Sequence, residues 1–354
     1  MHSFIYEPLP SRVIFGSGTR ARVGEEIDRL GLRRVLVIST LPQRADAELL
    51  ATSLGTRIAA VFAEAAMHTP VDVTERAMAQ VTALGVDGTV AVGGGSTIGL
   101  GKAIALRTDL PQLVLPTTYA GSEMTPILGE TKDGRKTTQR NAKILPETVI
   151  YDVDLTLTLS PALSAASGIN AIAHAVEALY APDRNPIISL MADDGIASLG
   201  RALPKIMDDP ADRSARSDAL YGAWLCGACL GAVGMALHHK LCHTLGGTFD
   251  LPHAETHTAV LPHAMAYNAA AAPDAMSRIA RSLGTQDAAR GVYDLAGRLG
   301  AKRALRDLGM PEDGIDLAAD LASQSPYPNP RPIARGAIRD LIARAWAGSL
   351  PVEP

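Results

Sequence analysis

Five of the nine histidines in this 354-residue chain fall in two short stretches. The first, Gly168-Ile169-Asn170-Ala171-Ile172-Ala173-His174, is followed by Glu177, and Asn170 and His174 lie four apart on one helical face. The second runs His238-His239-Lys240-Leu241-Cys242-His243 and then through Gly246-Gly247 to Pro252-His253. His239 and His243 again share a face, and His253 follows a glycine-containing break. Neutral imidazole is a common metal ligand and the usual acid–base group near pH 7. One histidine alone would read as a capped or surface residue. A set at this spacing reads as a site for proton transfer or for a metal ion. Two other features rank lower. Cys226 and Cys229 form a C-x-x-C without a second cysteine pair, which reads as a small apolar helix face. Tyr327-Pro328-Asn329-Pro330-Arg331-Pro332 reads as a rigid surface turn; the one arginine it presents is of a type that binds carboxylates.

A second kind of site lies earlier in the chain. Gly93-Gly94-Gly95-Ser96 follows the strand-like run Thr89–Val92 and opens a helix from Thr97 to Leu106. Glycines let a backbone approach a diphosphate, and the first N–H groups of a helix face an anion. This is not the G-x-G-x-x-G fingerprint, whose third glycine would fall on Ile98. The segment Pro116-Thr117-Thr118-Tyr119-Ala120-Gly121-Ser122-Glu123-Met124-Thr125 sets hydroxyl side chains after the next strand, on the edge where open α/β sheets bind ligands. Two such loops on one edge point to a nucleotide.

The elements that must position these loops alternate. Val35–Ile38, Gly88–Val92, Leu113–Leu115 and Val149–Tyr151 read as buried strands, with helical periodicity over Ala47–Ser53 and Val71–Leu84. That predicts a parallel sheet covered on both faces. The alternation stops near Asp152. From Ser160 the chain is Ala- and Leu-rich with helical spacing, and breakers are expected at Pro204, Pro210, Pro252, Pro262 and Pro273. The expected domains are therefore an α/β unit over residues 1–155 and an all-helical unit over 156–354. Composition excludes other classes: 47% hydrophobic and 20% charged residues rule out disorder, and a net charge of −4 gives no general attraction to nucleic acid or anionic membrane. With 4% aromatic residues, stacking platforms for single strands are not expected, and three cysteines make no disulfide framework. The start of the chain lacks a signal-peptide pattern, and no apolar run reaches the length of a membrane span, so a cytoplasmic location is expected.

Taken together, the motifs resemble the iron-containing (group III) alcohol dehydrogenase superfamily over nearly the whole chain. The match runs through Phe15-Gly16-Ser17-Gly18, Gly93–Ser96, Pro116-Thr117-Thr118 with Gly121-Ser122-Glu123, Asp152, Gly168–Glu177 and His239–His253. The resemblance implies a Rossmann-like N-terminal dinucleotide-binding domain and an all-α C-terminal domain, with the active site in the cleft between them. Metal-dependent members carry one aspartate and three histidines as ligands; the matching positions here are Asn170, His174, His239 and His253. Asparagine is neutral, so the set has lost its anionic donor. Gly99 stands where metal-dependent members carry a further aspartate.

Both departures resemble one branch, the maleylacetate reductases of aromatic-compound degradation, which share versions of Gly93–Ala103, Ser167–Ala171, His239–Gly247, Pro252–His257 and the Asn329–Pro332 loop. That branch reduces the conjugated C=C bond of maleylacetate to give 3-oxoadipate with NADH or NADPH and is regarded as not requiring metal. The resemblance implies a homodimer and a small dicarboxylate substrate, with no nucleic-acid or membrane partner. The implied catalytic set is His243 as first choice of proton donor, with His239, His174, His253 and Asn170. Lys240 and Arg331 are the candidate cations for the substrate carboxylates. Gly94, Gly95 and Ser96 are expected at the cofactor diphosphate, Thr117, Thr118 and Ser122 at the second loop, and Lys136 at a ribose. Thr40 stands where NAD-selective members carry an acid, which implies use of both cofactors. Two alternatives stand beside this reading: a metal-dependent alcohol or polyol dehydrogenase of the same fold, and a nucleotide-binding regulator without catalysis. A lyase of the 3-dehydroquinate synthase type needs a metal, so Asn170 counts against it.

Overall fold

In the computed structural model, residues 4, 6–9, 11–324 and 327–352 are described, with residues 135 and 136 described by their backbone alone. The chain divides into two units, Pro8–Leu159 and a unit built on Ser160–Pro354. In the first, the β-branched runs pair as a parallel six-stranded sheet. Its strands are β1 (Arg12–Gly16), β2 (Val35–Ile38), β3 (Ile58–Phe62), β4 (Gly88–Gly93), β5 (Gln112–Pro116) and, after a hairpin of β6 (Ile127–Lys132) and β7 (Arg135–Arg140), β8 (Thr148–Asp152). The order is β1-β8-β5-β4-β2-β3. Helices α1 (Val23–Arg29), α2 (Arg44–Leu54), α3 (Val71–Leu84) and α4 (Gly95–Thr108) make the crossovers.

Side-chain alternation explains why both faces are covered. Val35, Val37, Val90, Val92, Leu113 and Leu115 point to one face and pack with Val23, Ile27 and Ala47 of α1 and α2. Leu36 and Ile38 point to the other, against Val73, Ala77, Leu100 and Ile104 of α3 and α4. Register then places the binding edge: Gly93 pairs with Pro116, so β4 and β5 end level and their loops emerge side by side.

The second unit is helical: α5 (Pro161–Tyr180), α6 (Pro186–Asp208), α7 (Arg213–Ala232), α8 (Leu237–Phe249), α9 (His253–Asn268), α10 (Pro273–Leu283), α11 (Ala288–Arg298), α12 (Gly314–Ser323) and α13 (Arg335–Ala347). Helix α5 starts on a Ser160 cap followed by Pro161 at its first turn. Every residue from Ser164 to Tyr180 is buried. Its small residues permit this; a Cβ at Gly168 would stand 2.6 Å from Leu203. Leu237, Leu241 and Leu245 of α8 pack with Val260 and Ala264 of α9 and with α12 and α13 in one core. Asp250, in the left-handed conformation, ends α8, and Pro252 precedes the first turn of α9.

Two expected breaks do not occur. Pro204 lies inside α6 and Pro262 inside α9. A proline costs such a helix roughly 3 kcal/mol, and burial of long apolar faces on both helices outweighs it. Pro252 and Pro273 do stand at helix starts. Cys226 and Cys229 are free and buried on α7, with Cys226 facing Gly195 of α6, as an apolar face requires. Among the described residues no single helix is long and apolar enough to cross a membrane.

Candidate active site

The glycine loop of the α/β unit is built to close tolerance. Gly93 has φ +156°, and a Cβ there would lie 2.3 Å from Thr97 Oγ1 and 2.8 Å from Gln43 Oε1. A Cβ at Gly94 would lie 2.8 Å from Thr118 Cγ2, whereas at Gly95 it would meet nothing within 4 Å. The backbone at Gly95 therefore faces open space at the start of a 14-residue helix, where N–H groups await an acceptor. The Thr117 N–H donates to the Gly93 carbonyl (3.1 Å), and Gln43 Nε2 donates to Thr117 Oγ1 (2.9 Å), so the two loops are tied together. Thr40 Oγ1 in turn donates to Gln43 Oε1 at 3.2 Å.

Behind the second loop sits a residue whose part the spacing alone did not reveal. Lys102 of α4 is fully buried, and its Nζ donates to the Ser122 carbonyl (2.5 Å), Thr125 Oγ1 (2.9 Å) and the Ile127 carbonyl (2.9 Å). Burial pulls its pKa down to about 7, against the opposing pull of Glu123. Burial also raises the carboxyl of Glu123, which accepts from the Tyr151 hydroxyl at 2.9 Å. This knot holds Ser122 in place. The side chain of Lys136 lies outside the described residues.

In the helical unit, α5, α8 and α9 bring the histidines together. The rings of His174 and His239 are 5.2 Å apart, His239 and His243 6.3 Å, and His243 and His253 6.4 Å. Two residues outside the expected set join them. His257 lies 4.4 Å from His253 and 5.0 Å from His239, and His238 bonds His257, Nε2 to Nδ1, at 3.0 Å. The spacing signal was present, since His253 and His257 are four apart on α9. Burial and the neighbouring imidazoles hold His174, His238 and His257 well below the usual histidine range, so all three are neutral near pH 7. His243 is the exposed member.

Glu177 organises this cluster. One turn beyond His174 and fully buried, it accepts from His239 Nδ1 (2.7 Å) and from the backbone N–H groups of Ala236 (2.9 Å) and His238 (2.7 Å). The carboxylate thus caps the N-terminus of α8 from another helix, and the dipole there favours its charge. It also fixes the His239 tautomer with the proton on Nδ1, leaving Nε2 as the free face of the ring. Nε2 of His239, Nδ1 of His174 and Oδ1 of Asn170 are buried, with no hydrogen-bond partner among the described residues.

The candidate cations are placed by aromatic rings. Lys240 Nζ stands 5.9 Å over the Tyr327 ring, away from the face that carries His239. The Arg331 guanidinium stacks 4.4 Å over the Tyr267 ring and donates weakly to the Tyr267 carbonyl at 3.4 Å. Neither has a carboxylate partner among the described residues.

Comparison with known proteins fits this arrangement. A model described as iron-containing alcohol dehydrogenase matches residues 10–153, and one described as the C-terminal part of the Fe-containing alcohol dehydrogenase family matches residues 164–346. The chain belongs to the iron-containing alcohol dehydrogenase family. Within that family it is 58% identical to a maleylacetate reductase of Sphingobium indicum, over 99% of both chains. It is 57% identical to one of Burkholderia cepacia, over 99% of this chain and 100% of the relative. The crystal structure of maleylacetate reductase from Agrobacterium tumefaciens superimposes with a TM-score of 0.96 at 57% identity, covering 99% of this chain and 100% of that one. The chain is an oxidoreductase of this family.

The family name implies a metal, and the donor set here is a weak one for it. The four matching positions offer an amide oxygen and three imidazoles, with no anion. Among the described residues, only His238, Cys242 and His257 bring three His, Cys, Asp or Glu ligand atoms within 4.8 Å of one another. That group is not a metal site. The Cys242 sulfur is 3.8 Å from His238 Nε2 and 3.9 Å from Nδ1, so it sits beside the ring rather than along a lone pair. A shared ion on Nε2 would set the sulfur roughly 1 Å or more farther from Nδ1.

Proposed function

We propose that this chain is a maleylacetate reductase, reducing the conjugated C=C bond of maleylacetate to give 3-oxoadipate with NADH or NADPH and without a required metal. What carries the reading is identity of 57–58% over the full length to proteins of that name. The neutral donor set around Asn170 supports it. When bound, the nicotinamide supplies a hydride to the alkene carbon β to the ketone. Negative charge then spreads over an enolate, which hydrogen-bond donors can stabilise without a Lewis acid. Protonation of the adjacent carbon completes the reduction, and His243 at the exposed end of the cluster is the proton donor we assign. His239, held by Glu177, lines the site with His174, His253 and Asn170. Lys240 and Arg331 receive the two carboxylates. The proposed assembly is a homodimer.

For the cofactor, the Gly94–Gly95–Ser96 turn takes the diphosphate, with Thr117, Thr118, Ser122 and Lys136 completing the site. The cradle that a Cβ at Gly94 would fill supports this fit. Gly94→Ala displaces Thr118 and is expected to weaken NADH binding about tenfold, since overpacking costs roughly 1–3 kcal/mol. Fluorescence titration checks it, and unchanged affinity would move the diphosphate elsewhere. With Thr40 rather than an acid at the end of β2, NADH and NADPH are expected to serve with comparable efficiency.

A second reading, a metal-dependent alcohol dehydrogenase, draws support from one observation: the Glu177–His239 pair is the kind that orients a metal-bound imidazole. One assay separates the two. Chelator-treated protein is expected to oxidise NADH rapidly with maleylacetate and not with simple aldehydes. Activity restored only by Zn²⁺ or Fe²⁺, and on aldehydes, would replace the first reading with the second.

A further inference from the structure

An arginine in a loop binds a carboxylate well only if its backbone is held before the substrate arrives. The loop that carries Arg331 is held by two asparagines. Asn268, the last residue of α9, is fully buried. Its Nδ2 donates to Asn329 Oδ1 at 3.0 Å, and Asn329 Nδ2 donates back to Asn268 Oδ1 at 2.7 Å. The pair also grips the peptide groups of Arg331 itself: Asn329 Nδ2 donates to its carbonyl (2.7 Å), and its N–H donates to Asn268 Oδ1 (3.4 Å). Tyr267 completes the mount. Its hydroxyl donates to the Pro332 carbonyl at 2.6 Å while its ring lies under the guanidinium. Pro328, Pro330 and Pro332 remove further backbone freedom. An arginine so fixed, half-buried and without a carboxylate partner among the described residues, is prepared for an anion from outside the chain.

We propose that Asn268 and Asn329 are positioning residues that set the Arg331 guanidinium for one carboxylate of the substrate, and so select dicarboxylates over monocarboxylates. The inference rests on the proposed reduction of maleylacetate and adds residues to it that touch no reacting atom. It predicts effects on KM rather than kcat, because the carboxylate is held alike in ground and transition states.

The test uses full-length protein, maleylacetate, and two analogues that each lack one carboxylate. Arg331→Ala is expected to raise KM for maleylacetate at least tenfold, and Asn329→Ala about fivefold with kcat within twofold. The double variant should be no worse than Arg331→Ala, since both changes remove one interaction. For the analogue lacking the carboxylate that Arg331 holds, all three variants should show the KM of the parent. Effects that multiply, a KM for that analogue that rises in parallel, or a parental KM in Asn329→Ala while Arg331→Ala is impaired would overturn the proposal. A parental KM in Arg331→Ala would overturn the assignment of that arginine, and the positioning role with it. Should Asn329→Ala not fold, Asn329→Ser, which keeps a polar side chain too short to reach Asn268 and the Arg331 carbonyl together, carries the same expectation.

Discussion

Glu177→Gln is expected to lower kcat by about two to three orders of magnitude while moving KM little. The carboxylate has four donors aimed at it, on both oxygens: the Ala236 N–H and His239 Nδ1 at Oε2, and the His238 N–H with, at a longer 3.5 Å, the Tyr180 hydroxyl at Oε1. Glutamine keeps only one acceptor. With its oxygen at the Oε2 position, its NH₂ opposes the His238 N–H. With its oxygen at the Oε1 position, its NH₂ opposes the Ala236 N–H and draws the proton of His239 from Nδ1 to Nε2. Leaving a buried donor unpaired costs roughly 1–3 kcal/mol. Presenting the wrong tautomer costs far more where the ring takes part in reaction; in hydrolytic triads it costs about 10⁴ in kcat. Steady-state kinetics measure the first effect, and ¹⁵N chemical shifts of His239 report the tautomer. Turnover within threefold of the parent, with the proton still on Nδ1, would remove Glu177 from its organising role.

Asn170→Asp is expected to turn a neutral cluster into a metal-binding one. The Asn170 side-chain oxygen is buried at mid-length of α5, one turn before His174, without a partner among the described residues. A carboxylate in its place is an unpaired buried charge, which is strongly unfavourable unless a proton or a cation joins it. With His174, His239 and His253 it supplies the anion that the present set lacks. Zinc affinity should rise on the order of a hundredfold, because ligand charge weighs heavily in such sites. Elemental analysis after identical chelation and dialysis should find about one zinc per chain in the variant and far less in the parent. The metal-free variant should melt several degrees lower and turn over maleylacetate more slowly. Equal zinc in both proteins would show that the asparagine does not set metal affinity, and the explanation of a metal-free reduction would lose its chemical basis.

The amino-acid sequence by itself determined the fold class, because its signals are local. β-Branched runs of four to six residues, glycines after strands and a helical period of apolar residues each act over a few positions. Helix Val71–Leu84 and strands Val35–Ile38 and Gly88–Gly93 are legible for that reason. The family was legible too, through the order and spacing of its glycine and histidine motifs. Where local rules misled, burial had overridden them, as at Pro204 and Pro262. What only the tertiary structure decided was which polar groups meet. Glu177 is 62 residues from His239, Asn268 is 61 from Asn329, and Lys102 is 25 from the Ile127 carbonyl. No period or spacing connects such pairs; packing of α5 and α8 on α9, and of the last loop against α9, puts them in contact. A buried hydrogen bond is specific because each partner would be costly to leave alone, and that condition exists only once the core has excluded water.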